Sequence, residues 1–202
     1  MPHGAEMRRF EEMLTARGVA LQGDSKVEEA IRARYETHCA VMILDSSGFT
    51  RLTRAHGILH FLSLVVDMNR RVTPILKQHE ASCYWFEADN VFGVFPSAER
   101  AIHCALEIQR ETEETNAQRP PASCLDVCIG VGAGTLLKIG DENVYGDEMN
   151  AASKLGEDTA GPGEVLVTEA AWQEVDGEMA GVEAEKRFLE IAGVELPYFS
   201  LS

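Results

Sequence analysis

The sequence predicts an α/β domain in which helices pack on a mixed, mostly antiparallel sheet. Three observations lead there. Short β-forming runs alternate with longer stretches of helical apolar spacing, without a regular βαβ repeat. Two strongly apolar runs, 81–87 and 90–95, meet at Ala88-Asp89 as in a hairpin. The chain has 202 residues, of which 45% are hydrophobic and 25% charged, enough for one compact core with a helical extension.

The elements follow in chain order. Residues 1–36 read as a charged helical segment, broken at Gly23-Asp24-Ser25, with Met7, Phe10, Met13 and Leu14 at helical spacing. Residues 37–202 form the main domain. It opens with a buried strand over 38–44 that ends on Asp45, and Ser46-Ser47-Gly48 supplies a turn. Residues 49–79 read as helix, with Leu59, Leu62, Val65 and Val66 on one face and with Gly57 and Pro74 interrupting. After the hairpin, Ser97 caps a helix over 98–116. Its acidic run at 107–114 reads as a solvated face. Strands are expected over 125–132 and 135–139, and a turn at 140–143. A helix over 149–160 stops at Gly161-Pro162-Gly163. A strand at 164–168, a short helix at 169–175 and two strands around Gly193 complete the chain.

Composition narrows the function classes. The net charge of −15 excludes a general basic surface for nucleic acid polymers. It remains compatible with a metal-bound triphosphate, because carboxylates hold such a ligand through the metal. No apolar run is long enough to span a membrane, and the N-terminus lacks the apolar core of a signal peptide. The five cysteines (Cys39, Cys83, Cys104, Cys124 and Cys128) are odd in number and read as reduced, buried thiols. Cys124 and Cys128 would share one face of a strand. A cytoplasmic location is the expectation.

Three constellations carry chemistry. In Asp45-Ser46-Ser47-Gly48-Phe49-Thr50, an acid at a strand end precedes a tight turn into a helix. The carboxylate can ligate a hard cation, and the free amides of Ser47, Gly48, Phe49 and Thr50 can cradle phosphate. An Asp there serves equally well as a helix N-cap. Asp89 sits at the hairpin tip, where it is either a turn residue or a second carboxylate beside Asp45. Two carboxylates together call for a cation, and two Mg²⁺-type ions on two Asp side chains are a common way to run phosphoryl transfer. Asn150 and Lys154 are four apart, so they share a helix face, either to stabilise charge on a phosphate or as solvated surface. His56 and His60 share a face too, but lack a third ligand and read as surface histidines.

Asp45-x-x-Gly48-Phe49-Thr50, then Asp89, then Gly146-x-x-Met149-Asn150-x-Ala152-Ser153-Lys154 together resemble the catalytic core of class III adenylyl and guanylyl cyclases. Gly161-Pro162-Gly163-Glu164-Val165-Leu166-Val167 resembles the stretch that follows it in that family. The resemblance implies a ferredoxin-like fold and a head-to-tail homodimer with shared active sites. It implies two divalent ions, Mg²⁺ or Mn²⁺, on Asp45, Asp89 and the Ser46 carbonyl, with Asn150 contributed by the partner near the ribose and reacting phosphate, and Lys154 at the place of a residue that stabilises the transition state. The implied reaction converts a nucleoside triphosphate, ATP in the first instance, to the 3′,5′-cyclic monophosphate and pyrophosphate. Lys154 stands where many members have arginine. Trp85 and Asn143 occupy the positions that select the base, and a triphosphate-binding lysine would align near Ala192. These departures leave two alternatives: a silent module that binds nucleotide or a partner, or a cyclase with a non-purine preference.

Overall fold

The computed structural model describes residues 3–19, 23–191 and 194–202. Their strands, β1 (Glu36–Ser47), β2 (Cys83–Glu87), β3 (Asn90–Phe95), β4 (Asp126–Ile139), β5 (Asn143–Tyr145), β6 (Val165–Thr168), β7 (Ala184–Ile191) and β8 (Val194–Leu201), form one sheet in the order β2-β3-β1-β4-β6-β8-β7, with β5 attached to β4. Every pairing is antiparallel except β4 with β6. The expected mixed, mostly antiparallel sheet packed with helices is the fold observed. No described helix is long and apolar enough to cross a membrane.

At the N-terminus, α1 (His3–Arg17) and α2 (Ser25–Tyr35) meet at Asp24, whose carboxylate accepts the Lys26 and Val27 amides and caps α2. Phe10, Ile31 and Tyr35 pack with Ile139, so this segment rests on the far end of the sheet. No linker separates it from β1 (Glu36–Ser47), which begins where α2 ends.

The strand β1 is longer than the 38–44 run. Asp45, Ser46 and Ser47 lie within it, paired with Cys128, Val127 and Asp126. Its partner β4 (Asp126–Ile139) is one strand rather than two. Pairing is continuous from Glu36 opposite Leu137 to Ser47 opposite Asp126, so Gly132 and Gly134 do not break it. Both faces of β1 are covered. Ala40, Met42 and Leu44 join the main core with the helices α4 (Ile58–Gln78) and α5 (Ala98–Ala117). Val41 and Ile43 face a second cluster with Cys39, Cys83, Val94, Leu136, Val144 and Ala152. That double burial is why the run reads as continuously apolar.

Three expectations need correction. Of the apolar face proposed for 49–79, only Val65 is buried. Gly57, at φ 85°, separates α3 (Phe49–His56) from α4. In α4 the buried stripe is Phe61, Leu64, Val65, Met68, Val72, Ile75 and Leu76, while Leu59, Leu62 and Val66 are exposed, Leu59 at 77%. Two apolar stripes overlap in this helix. The longer one buries more surface and takes the core. Next, the helix expected over 149–160 is α6 (Asp147–Ser153) followed by a π turn over Lys154–Thr159. Third, Cys124 lies before β4, half-buried, with its thiol directed to the Asn116 carbonyl at 3.5 Å. The other four cysteines are buried, and all five are free.

The remaining elements lie close to expectation: the hairpin β2 (Cys83–Glu87) and β3 (Asn90–Phe95), β6 (Val165–Thr168), α7 (Glu169–Gln173), β7 (Ala184–Ile191) and β8 (Val194–Leu201). The short β5 (Asn143–Tyr145) is additional. The acidic run of α5 is partly an internal seam: Glu107 bonds His79 at 2.7 Å and Glu111 bonds Arg71 at 2.5 Å, tying α5 to the end of α4. His60 is tied to the Ala122 carbonyl at 2.6 Å, and His56 lies edge-on to it.

The placement of α6 depends on three glycines of β4. A Cβ on Gly130 would lie 2.1 Å from the Ala152 carbonyl oxygen and 2.5 Å from the Gly156 nitrogen. On Gly132 it would lie 2.5 Å from the Glu148 carbonyl oxygen, and on Gly134 it would lie 3.0 Å from Glu148 Cγ. The helix and its π turn therefore lie with their backbone directly on the strand.

Candidate active site

The expected metal positions come together where β1 meets the β2–β3 hairpin. Ala88, at φ 53°, turns the hairpin so that Asp89 faces β1. The buried Ser46 hydroxyl donates to Asp89 Oδ2 at 2.6 Å. Asp45, on the neighbouring position of the strand, is half-buried. Burial pushes its carboxyl up to about 6, and the negative charges of Asp89 and Glu157 push the same way. The charged groups acting on Asp45 are Asp89, Glu157 and Asp158, all acidic.

Sequence reasoning missed Glu157. It lies on the π turn, and the Asn90 amide donates to its Oε1 at 2.7 Å. Burial raises its carboxyl, as do Asp158 and Glu87. Its register is not readable from an ideal helical period, because a π turn shifts the residues that follow. The same turn carries Lys154, which pairs with Asp158 at 2.5 Å in its own chain. Asn150 is exposed on α6.

The turn expected to bind phosphate leads through Gly48 into α3. Gly48 has φ 99° and is the N-cap of α3 without any side-chain cap bond, so the amides of the first turn lack an internal partner. Phe49 is exposed and edge-on to Phe61 at 4.9 Å; Thr50 is exposed. Arg51 adds a cation that was not foreseen. Its Nη2 lies 3.2 Å from where a Cβ on Gly48 would fall.

Of the two positions expected to select the base, Trp85 packs against the second cluster. Trp85 stacks on Phe92 at 5.0 Å and 5°, its partner across the hairpin. Both flank a cluster that contains Val144, next to Asn143. The alignment of Ala192 with a lysine falls outside the described residues.

The donor set suits a hard divalent ion. Two carboxylates and a strand carbonyl are few ligands, and among the described residues no three His, Cys, Asp or Glu converge as a closed site. Mg²⁺ is commonly bound in this way, by one or two carboxylates with substrate phosphates completing the shell.

No family model matches the chain. A curated relative, "Putative adenylate cyclase 3" of Rhizobium meliloti, is 24% identical over 170 residues, covering 84% of this chain and 28% of its own length. The chain thus spans less than a third of that protein. Among solved structures, an adenylate/guanylate cyclase/hydrolase from Silicibacter pomeroyi superposes with a TM-score of 0.67 at 22% identity, covering 82% of this chain and 96% of that one. The catalytic core of a rhodopsin-guanylyl cyclase in complex with ATPalphaS gives 0.68 at 19%, covering 83% and 96%. The chain has the class III nucleotidyl cyclase fold. In this cyclase-fold domain, β1, the hairpin and α6 are the elements that carry the matching motifs.

Asp45 gives the domain a pH signature of its own. Its carboxyl titrates near 6 when folded and near 3.8 when unfolded, so the folded state holds the extra proton between those values. Metal-free stability should therefore lose Asp45's contribution as pH rises from about 4 to about 6, then stay level. Thermal melts in chelator, wild type against Asp45→Asn, test this. The difference between the two proteins should grow across that window, and a difference that is flat with pH contradicts it.

Proposed function

We propose that this chain is a metal-dependent nucleotidyl cyclase domain acting in cyclic nucleotide signalling. It takes a nucleoside triphosphate, ATP in the first instance, to the 3′,5′-cyclic monophosphate and pyrophosphate. The observation that carries this reading is the Asp45–Asp89 pair, joined through Ser46 and surrounded by further acids, beside an uncapped helix N-terminus.

Asp45, Asp89 and the Ser46 carbonyl would hold two divalent ions, Mg²⁺ or Mn²⁺. Such ions acidify a ribose 3′-hydroxyl and neutralise triphosphate charge. The first-turn amides of α3, with Arg51 close by, orient the phosphates. The 3′-oxygen bonds to the α-phosphorus, the bond to the β-phosphate bridging oxygen breaks, and the hydroxyl proton passes to solvent. Asn150 and Lys154 stabilise charge on the α-phosphate from a second, head-to-tail copy. Support for a second copy comes from Asn150 standing exposed on α6.

Trp85 favours a second reading of the substrate. An indole stacked on Phe92 offers a flat apolar face and no charged hydrogen-bond donor, which suits a broad choice of base. Purified chain with Mn²⁺ and an equimolar mixture of ATP, GTP, CTP and UTP decides between these readings. Cyclic AMP as the main product fits the first, mixed or pyrimidine products fit the second, and no cyclic product rejects both.

Mixing variants tests the shared site. Asp45→Asn and Asn150→Ala should each be inactive alone. An equal mixture should recover about a quarter of wild-type activity, since half the dimers carry one intact site of two. Failure of the mixture to exceed either variant alone rejects the shared arrangement.

A further inference from the structure

A cavity of about 270 Å³ lies under the β7–β8 hairpin, between α6 and α7. Its walls are mostly hydrocarbon: Ala151, Leu155, Leu189, Leu196 and Pro197. At an ideal helical period, Glu148 and Ala151 fall on the side of α6 away from Asn150, and Leu155 of the π turn lines the same cavity. The cavity is therefore separate from the metal site.

Of the polar groups that line it, Thr168, Glu169, Gln173, Tyr198 and Glu148, the one that can supply an unpaired charge is Glu148. Its Oε2 accepts the Thr168 hydroxyl at 2.6 Å and the Ala133 amide at 3.3 Å, which pins the side chain in place. The charges that act on it, Glu174 and Asp147, are both acidic. The other carboxylate of the lining, Glu169, is already paired with Lys186 at 2.7 Å. A fixed carboxylate in an apolar recess, surrounded by negative charge, favours a cation with a hydrocarbon body.

We propose that this cavity binds a small amphipathic amine, its ammonium on Glu148 and its apolar body against Leu155, Leu189 and Leu196. The volume limits the ligand to a short chain or single ring, because pockets for drug-sized molecules begin at about 300 Å³. Glu148 supplies the charge selection, and the leucines supply most of the buried area. The inference does not depend on nucleotide turnover, so it stands or falls separately from the cyclase reading.

Cyclohexylamine and cyclohexanol provide the test, since they match in shape and differ in charge at neutral pH. Calorimetry on the full chain should show the amine binding about tenfold more tightly than the alcohol. In Glu148→Gln, which keeps an acceptor for Thr168 and Ala133, the preference should fall to about twofold or less. Ala151→Leu narrows the cavity and should weaken both ligands. Methyl resonances of Ala151, Leu155 and Leu189 should shift on amine addition. Equal affinity for both probes, an unchanged preference in Glu148→Gln, shifts confined to other residues, or no binding up to about 10 mM would each overturn the proposal.

Discussion

Asp45→Asn should lower the proposed nucleotide cyclisation by about a thousandfold, the kinetic equivalent of about 4 kcal/mol of transition-state stabilisation. Asn keeps the size and one oxygen of the side chain but removes the charge that holds a divalent ion. Loss of activity through unfolding would look similar in an assay, and the geometry separates the two. Asp45 is half-buried among Asp89, Glu157 and Asp158, so its ionised form works against folding when no cation is present. Removing that charge should raise the metal-free melting temperature at pH 7.5 while turnover disappears. The pairing of greater stability with lost function is common where a site stores repulsion for a ligand. Turnover within tenfold of wild type, at saturating Mn²⁺, would remove Asp45 from the metal site.

Gly130→Ala has the second large effect, and it is on the fold. The added methyl would lie 2.1 Å from the Ala152 carbonyl oxygen and 2.5 Å from the Gly156 nitrogen, and both are backbone. Neither can turn aside as a side chain does. Overpacking of this kind costs about 3 kcal/mol, and relief requires α6 and its π turn to lift from β4. Gly134→Ala is the comparison. Its methyl would meet Glu148 Cγ at 3.0 Å, a side-chain atom at a longer distance rather than backbone, and the cost should stay at about 1 kcal/mol. Urea unfolding of both variants measures the difference. Equal costs would mean that the close approach of α6 to β4 is not rigid. In Gly130→Ala the same shift displaces Asn150, Lys154 and Glu157 together, so activity should fall even where the variant remains folded.

Much of this domain was legible in its residues. Strand β1, the β2–β3 hairpin, the Ser97 cap of α5 and the stop at Gly161-Pro162-Gly163 follow from local chemistry: apolar runs, turn residues and capping side chains. Asp45, Ser46 and Asp89 were legible because an acid beside a glycine turn and an acid at a hairpin tip are local patterns, and a family motif joined them. The tertiary structure decided what depends on neighbours distant in the chain. It chose which of two apolar stripes of α4 to bury, because only packing against α5 and the sheet compares their areas. It kept β4 in one piece, because twelve residues of β1 pair along it and α6 needs its glycines bare. It brought Glu157 to the aspartates through a π turn that no helical period describes, and it raised Asp45 by burial and by the acids around it. By itself, the sequence determined the local groups: an acid at a strand end, a glycine turn and an acid at a hairpin tip. The fold decided how closely they gather and what else gathers with them, because burial and charge repulsion exist only once distant segments share one edge of a sheet.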